Sequence, residues 1–338
     1  MEADLVRRAG VAFQSIPAAG VHGVGWRALP GNLAQLARGL LASLRILGQF
    51  RPDVLFFTGG YLAVPMAVAA RLRGLRGERS RILLFVPDIE PGLALKTLAR
   101  FADWIAVSVE KSKEYLPRGI PIHVTGYPTR PELKGWDKNK AREALNLAPD
   151  LPVLLVFGGS SGARSINRAL FAALPELLPE MQVIHISGRL DWSEVQAVQT
   201  QMSQQMPADL LRRYRAYPYL HEEMAAALAS ADLALSRAGA SCLGEFPLFG
   251  LPAILVPYPY AWRYQLINAQ YLQEQGAAII IADNQLPTEL LGAVRRLMHD
   301  NRKLANMTAA MRSLARPHAA QQIARLIVSL ATSGRGAV

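Results

Sequence analysis

Short apolar runs recur along this chain, each leading through a turn into a stretch with helical spacing. In the first part they are Asp53–Thr58 (DVLFFT), Arg81–Val86 (RILLFV), Trp104–Ser108 (WIAVS) and Ile122–Thr125 (IHVT). The second part adds Val153–Phe157 (VLLVF), Val183–Ser187 (VIHIS), a short Arg215–Tyr217, Leu233–Ser236 (LALS), Ala253–Val256 (AILV) and Ala278–Ile281 (AIII). A strand that is apolar at nearly every position has both faces buried. Parallel sheets covered by helices on each side demand such strands. The pattern predicts an α/β chain with two doubly wound, Rossmann-like domains, and 338 residues are enough for both.

Between the two sets of runs, Gly135 to Ala148 is rich in charge, and Pro149 and Pro152 follow. The domain boundary is expected there. The first domain then spans residues 1–135 and the second 136–316. A last helix over 317–332 is expected to cross back to the first domain.

Other classes are excluded simply. The single cysteine, Cys242, rules out an intrachain disulfide framework and argues against a cysteine-based metal site. The apolar run Val54 to Ala70 is broken by Gly59-Gly60 and Pro65, so it reads as strand, turn and helix and not as a membrane span. The first residues carry acidic and basic groups where a secretory signal would be apolar, which makes the cytoplasm the default expectation. Charge is uneven. Residues 1–140 hold 20 Lys and Arg against 11 Asp and Glu, while the remainder holds 17 against 15. An anionic surface is the expected partner of the first half. Nucleic acid is not, because no recognition motif is present and the positive charge lies away from the candidate nucleotide turns. Trp26 to Phe50 has leucines at helical spacing with Arg38 and Arg45. It reads either as an amphipathic surface helix or as an ordinary helix packed on the sheet.

Ligands of doubly wound folds sit at the carboxyl ends of the strands. Three turns in the second half lie there. Gly158-Gly159-Ser160-Ser161-Gly162 follows VLLVF and precedes a helix, so its backbone N–H groups can approach an anion. Ser236 to Glu245 (SRAGASCLGE) repeats the arrangement. There Gly239 and Cys242 stand near the helix tip, and Glu245 can accept hydrogen bonds from ribose hydroxyls. The third runs from Val256 through a Pro-rich loop to Gln265 and Asn268, whose amides both donate and accept and so suit a sugar. Phosphate at a helix tip and ribose on a carboxylate together imply a nucleotide.

Three stretches, GGSSGARSIN at 158–167, SRAGASCLGE at 236–245 and GLPAILVPYPYAWRYQLINAQ at 250–270, resemble one family. It is the glycosyltransferase family (family 28) that adds N-acetylglucosamine to lipid-linked muramyl peptide in peptidoglycan synthesis. MEADLV at 1–6, PDVLFFTGGY at 52–61 and GYPTR at 126–130 extend the resemblance over nearly the whole chain. It implies a GT-B fold with two domains facing across a cleft, and an inverting hexosyltransferase that takes UDP-N-acetylglucosamine in the second domain. The acceptor would be an undecaprenyl-diphosphate-linked muramyl peptide held by the first domain, peripheral on the cytoplasmic face of the inner membrane. No cofactor beyond the UDP-sugar substrate and no metal are implied. By position, Glu245 would take the ribose and Leu220 the base. Arg130, Gly159, Ser160, Gly239 and Cys242 would lie near the donor, Gln265 and Asn268 at its sugar, and Gly59, Gly60 and Tyr61 on the acceptor side.

The chain departs from the family at four places. The family starts with a strand and a Gly-rich turn bearing a histidine, ahead of the stretch matching MEADLV. Met1 therefore reads as an internal methionine, with one βα unit expected upstream and the neighbouring strand left with an open edge. The family's His-Glu-Gln-Asn run is replaced by Phe85-Val86-Pro87-Asp88, leaving Asp88 and Glu90 as candidate carboxylates or merely capping groups. Cys242 stands where Thr is usual, which would weaken a contact to the diphosphate. Tyr264 stands where Gln or His is usual, beside the expected donor sugar. These changes keep open a diverged enzyme using another UDP-sugar or acceptor, or a homologue that binds nucleotide sugar without turnover.

Overall fold

The structure is a computed structural model that describes residues 6–7, 10–17, 29–159, 162–260 and 263–333. The chain forms two parallel sheets. In the first, β1 (Val54–Phe57), β2 (Arg81–Val86), β3 (Trp104–Val107) and β4 (Ile122–Val124) lie in the order β1-β2-β3-β4. The second contains β5 (Val153–Phe157), β6 (Gln182–Ile186), β7 (Tyr214–Tyr217), β8 (Leu233–Ser236), β9 (Ala253–Leu255) and β10 (Ala278–Ile280). Its order is β10-β9-β8-β5-β6-β7. The strand order reverses between β8 and β5, and such a switch opens a crevice at the carboxyl ends.

Helices connect the strands. In the first domain they are α1 (Leu29–Phe50), α2 (Ala63–Gly74) and α3 (Leu93–Ala99). The second has α4 (Lys138–Ala144), α5 (Arg164–Leu177), α6 (Trp192–Gln205), α7 (Ala208–Leu211), α8 (Met224–Ser230), α9 (Glu245–Phe249), α10 (Tyr264–Glu274), α11 (Leu286–Met298) and α12 (Asn301–Ser313). The chain closes with α13 (Ala319–Ser333).

Strand alternation builds a core on each face of each sheet. On β5, Leu154 and Val156 pack with Ile166 and Leu170 of α5, while Val153 and Leu155 join Leu228 and Phe246 on the other side. All four strand residues are fully buried, which is why the run carries no polar alternation. On β2, Ile82, Leu84 and Val86 pack towards α2, and Leu83 and Phe85 meet Ile323 of α13. The last helix thus covers a face of the first sheet although it follows the second in sequence. Among the described residues β1 pairs only with β2, and Phe56 is 40% exposed. Helix α1 packs through Leu40, Leu44 and Leu47 into the first core, leaving Leu41 and Phe50 outward. Trp26, where the sequence reading starts this helix, lies outside the described residues.

Candidate functional site

The carboxyl ends of β5 and β8 present two cavities, each lined by glycines of the turn that follows β5. The first, of about 220 Å³, is lined by Arg130, Phe157, Gly159, Ile186, Tyr219, Leu220, Met224, Ser241 and Glu245. The second, of about 520 Å³, is lined by Gly158 and Gly162 of the same turn, with Arg164, Arg237, Tyr258 and Gln265 among its other walls. Gly159 has φ +86° and open space where a Cβ would stand, so a side chain there is strained. Gly162 has φ +81°, and a Cβ would come within 2.2 Å of the Ser187 carbonyl oxygen. The turn therefore runs tight against the end of β6. Ser160 lies outside the described residues.

The turn after β8 is built differently from the sequence expectation. A 3-10 turn over Ala240–Leu243 holds Cys242, which is therefore not at a helix tip, and Glu245 opens α9. Gly239 precedes the 3-10 turn in extended conformation, with open space about it. Burial pushes the Glu245 carboxyl above its ordinary value, against the charge of Arg130 and a hydrogen bond with Ser241. A half-buried carboxylate beside a guanidinium forms one polar end of a pocket whose apolar wall includes Leu220. That suits a nucleoside: base on the wall, ribose hydroxyls on the carboxylate. Arg130 reaches this cavity from the loop after β4, so the first sheet contributes to it.

Cys242 requires a correction. Its side chain is 2% exposed and belongs to the apolar core with Leu243 and Phe246. The tight 3-10 turn directs it inward, and burial raises its thiol well above the usual value. It packs and does not face a diphosphate.

Asn268 requires another. It is fully buried, and its amide is spent on protein partners. Oδ1 accepts from the Ile89 backbone N–H at 3.1 Å, while Nδ2 donates to Asp88 Oδ1 at 2.8 Å and to the Ala238 carbonyl at 3.1 Å. It ties the loop after β2 to the loop after β8 and is not open to a sugar. Gln265 stays at the cavity wall. Its Oε1 accepts from the Tyr258 N–H at 2.9 Å, which leaves the amide NH2 for a ligand.

The two candidate carboxylates separate. Glu90 is buried and accepts from Lys96 at 3.1 Å and from Arg263 through both oxygens at 3.1 Å. Burial raises its carboxyl, but the bonds from Arg263 and Lys96 outweigh it and hold the group below the usual range. A carboxylate so saturated is a brace between the domains and a poor base, contrary to its candidacy. Asp88 is half-buried, and burial pushes its carboxyl up against the hydrogen bond from Asn268. Tyr127 stands close enough to feel both Asp88 and Glu245, and its hydroxyl is raised by burial and by these two charges.

Tyr264 also lies at the junction. Its hydroxyl would be 3.1 Å from a Cβ placed on Gly92, so the ring packs against the first domain. Lys111 and Glu274 add a further cross-domain pair at 2.6 Å. On the first domain, Gly59 and Gly60 follow β1 with φ of +113° and +85°, a turn that favours glycine, and Tyr61 beyond them is 45% exposed. Sequence reasoning missed Phe157, Ile186, Tyr219, Met224 and Ser241 as walls of the first cavity. Ser241 carried a signal, its place inside the glycine-containing turn.

Comparison with known proteins agrees with this geometry. The glycosyltransferase family 28 C-terminal domain matches residues 153–323, and the family 28 N-terminal domain matches residues 1–107. A protein of Roseiflexus sp. (strain RS-1) is 41% identical over 98% of this chain and 81% of its own length. One from Desulforudis audaxviator is 38% identical over 99% of this chain and 88% of its own. Both are named UDP-N-acetylglucosamine–N-acetylmuramyl-(pentapeptide) pyrophosphoryl-undecaprenol N-acetylglucosamine transferase. The crystal structure of Acinetobacter baumannii MurG superposes with a TM-score of 0.74 at 25% identity, covering 97% of this chain and 88% of that one. A UDP-GlcNAc 2-epimerase from Neisseria meningitidis, at 11% identity and a TM-score of 0.65 over 97% of this chain and 88% of its own, shares the fold alone. Two parallel-sheet domains of this kind form the GT-B glycosyltransferase fold, and the chain belongs to glycosyltransferase family 28.

Proposed function

We propose that this chain transfers N-acetylglucosamine from UDP-N-acetylglucosamine to the muramyl pentapeptide carried on undecaprenyl diphosphate, the reaction its named relatives carry. The observation that supports it most is the first cavity, where Glu245 opens α9 beside Arg130 and shares the walls with Leu220 and Gly159 of the glycine turn. In this reading Glu245 accepts from the ribose hydroxyls and Leu220 bears on the base. Gln265 donates to the donor sugar. Backbone N–H groups of the glycine turn face the diphosphate.

The acceptor hydroxyl oxygen forms the new bond to the anomeric carbon. The bond from that carbon to the β-phosphate oxygen breaks, and UDP leaves with the electron pair. The hydroxyl proton goes to a base, and Asp88 fits that role better than Glu90. Among the described residues Asp88 makes no ion pair, and its raised affinity for protons suits a general base. No cofactor takes part.

The acceptor's lipid places the reaction at a membrane. No described helix is long and apolar enough to cross one. We propose peripheral contact with the cytoplasmic face, through the basic first domain and the outward Leu41 and Phe50 of α1. Flotation with anionic vesicles tests this, and binding insensitive to salt and to lipid charge would reject it.

A UDP-release assay with UDP-N-acetylglucosamine, UDP-glucose and a lipid-diphosphate muramyl acceptor tests the reaction. Acceptor-dependent release with the N-acetyl sugar alone supports it. Release with another sugar points to a diverged donor, and UDP binding without release points to a homologue that does not turn over.

A further inference from the structure

We propose that Arg164, the first residue of α5, is the cation that holds the β-phosphate of the donor and of the departing UDP. This assignment rests on the donor reading above. It begins from a contrast between two arginines lining the second cavity. Arg237 is spent: its guanidinium bonds to Asp283, to the Val256 carbonyl at 3.2 Å and to Ser165 Oγ at 2.8 Å, and its side chain is only 10% exposed. Arg164 is 63% exposed and uses only Nε, which donates to Asp191 Oδ1 at 3.0 Å. Among the described residues its two terminal NH2 groups meet no partner. They form the free edge of a fork, the geometry that matches a phosphate with two parallel bonds.

A free surface arginine would be unremarkable if it swung freely. This one is moored to a buried chain of hydrogen bonds. Asp191 is 5% exposed, and its second oxygen accepts from Asn167 Nδ2 at 3.0 Å. The same Nδ2 donates to the Ser187 carbonyl at 3.0 Å, so Asn167 Oδ1 must be the acceptor for His185 Nε2 at 2.9 Å. Burial keeps His185 neutral, so with its proton on Nε2 its Nδ1 accepts from the Tyr214 hydroxyl at 2.8 Å. Every member is satisfied, and the chain runs from the second-sheet core to the Nε of Arg164. It also fixes Ser187, the carbonyl against which Gly162 is packed. One network therefore sets the glycine turn and the arginine beside it.

The order of the donor's parts assigns the phosphate. With ribose on Glu245 in the first cavity, the α-phosphate comes next and the β-phosphate is farther from the ribose. Gly159 lines the first cavity with Glu245, whereas Gly158 and Gly162 line the second with Arg164 and Gln265. Arg164 is placed for the phosphate that bears the sugar and gains charge when the sugar departs.

The test is the binding of UMP and UDP by calorimetry at one pH and salt concentration, for the unmodified chain and for Arg164→Gln. Arg168→Gln removes an exposed arginine of the same helix whose partner is Glu194, and controls for general charge. The expected result is UDP binding weakened about ten- to hundred-fold in Arg164→Gln, UMP binding unchanged, and neither changed in Arg168→Gln. Arg164→Lys should recover part of the loss, because it restores the charge without the fork. Normal UMP binding with undiminished UDP binding in Arg164→Gln overturns the assignment of Arg164 alone, as does an equal loss of both nucleotides. Failure of the unmodified chain to bind either nucleotide overturns the donor reading and this assignment with it. Unchanged thermal unfolding of Arg164→Gln separates a lost contact from a lost fold.

Discussion

Asn268 Nδ2 donates to Asp88 Oδ1 at 2.8 Å, joining α10 to the loop after β2, 180 residues away in the chain. The same buried amide serves the Ile89 N–H and the Ala238 carbonyl, so it holds the candidate base in register with the donor loop. Asn268→Ala should leave two buried backbone groups without partners, at about 1–3 kcal/mol each. Urea unfolding should show that loss. In a variant that still folds, kcat should fall by a larger factor than the donor KM rises, because Asp88 is unmoored while the ribose contact is intact. A donor KM that moves alone would return Asn268 to the sugar site.

Asp88→Asn separates the base from the scaffold. The amide can keep a contact with Asn268 but cannot take a proton. General-base catalysis contributes about 10²–10⁴-fold, and kcat should fall within that range with UDP affinity little changed. Glu90→Gln should instead loosen the Arg263 and Lys96 pairs and act mainly on stability and its salt dependence. The reverse outcome, with Glu90→Gln abolishing turnover in a stable protein, would exchange their roles.

Glu245 should make donor binding pH-dependent. Burial raises its carboxyl above the ordinary glutamate value. The ionised form is the one that accepts from both ribose hydroxyls. UDP-N-acetylglucosamine affinity should therefore rise with pH through a step placed above about 4.3, the ordinary glutamate value, and level off beyond it. The UDP-sugar is the right probe because its diphosphate is doubly esterified and does not titrate in this range. Glu245→Gln should bind about ten- to hundred-fold more weakly and show no such step. A step retained in that variant assigns it to another group. The same raised value has an opposite sign for the empty fold. The native state holds this proton more tightly than the unfolded chain does, so this group's contribution to stability declines as pH rises through its titration.

Much of the fold was legible because burial on both faces leaves a local trace. VLLVF and the ILLFV of RILLFV are apolar throughout, and a parallel sheet covered by helices on each face hides both their sides. The site was legible in part for a related reason: glycines at positive φ and a carboxylate opening a helix sit within a few residues of each other. What was not legible depends on direction or on distance. Cys242 and Glu245 stand three residues apart in one motif, yet the 3-10 turn between them sends the thiol into the core and the carboxylate into the cavity. Two of the three partners of Asn268, Asp88 and Ile89, lie in the other domain, and no local spacing announces them. The mooring of the glycine turn did leave a trace, His185 as the lone imidazole inside the apolar run VIHIS. An interior strand admits such a residue only with partners for both ring nitrogens.

That imidazole gives a prediction about stability. Burial drives the His185 value down to about 3, against some pull upward from Asp191. In the unfolded chain a histidine titrates near about 6.5. Between those values the unfolded chain binds a proton that the native state refuses. The stability tied to this group is therefore fully present above about pH 6.5 and declines as pH falls towards the folded value. His123 is shifted in the same direction by burial and by Lys113, so the slope of the unmodified chain alone does not isolate His185. The comparison with His185→Gln does. Glutamine does not titrate, and its amide keeps one donor and one acceptor for Asn167 and Tyr214. It should unfold at a lower urea concentration at pH 7.5, because ring packing against Phe171 is lost. Its midpoint should then fall less steeply than that of the unmodified chain from pH 6.5 to 5, a window above the titration of ordinary carboxylates. Parallel midpoint curves would mean that His185 does not stay neutral in the native core, and would remove the tautomer on which the Asn167 to Asp191 linkage depends.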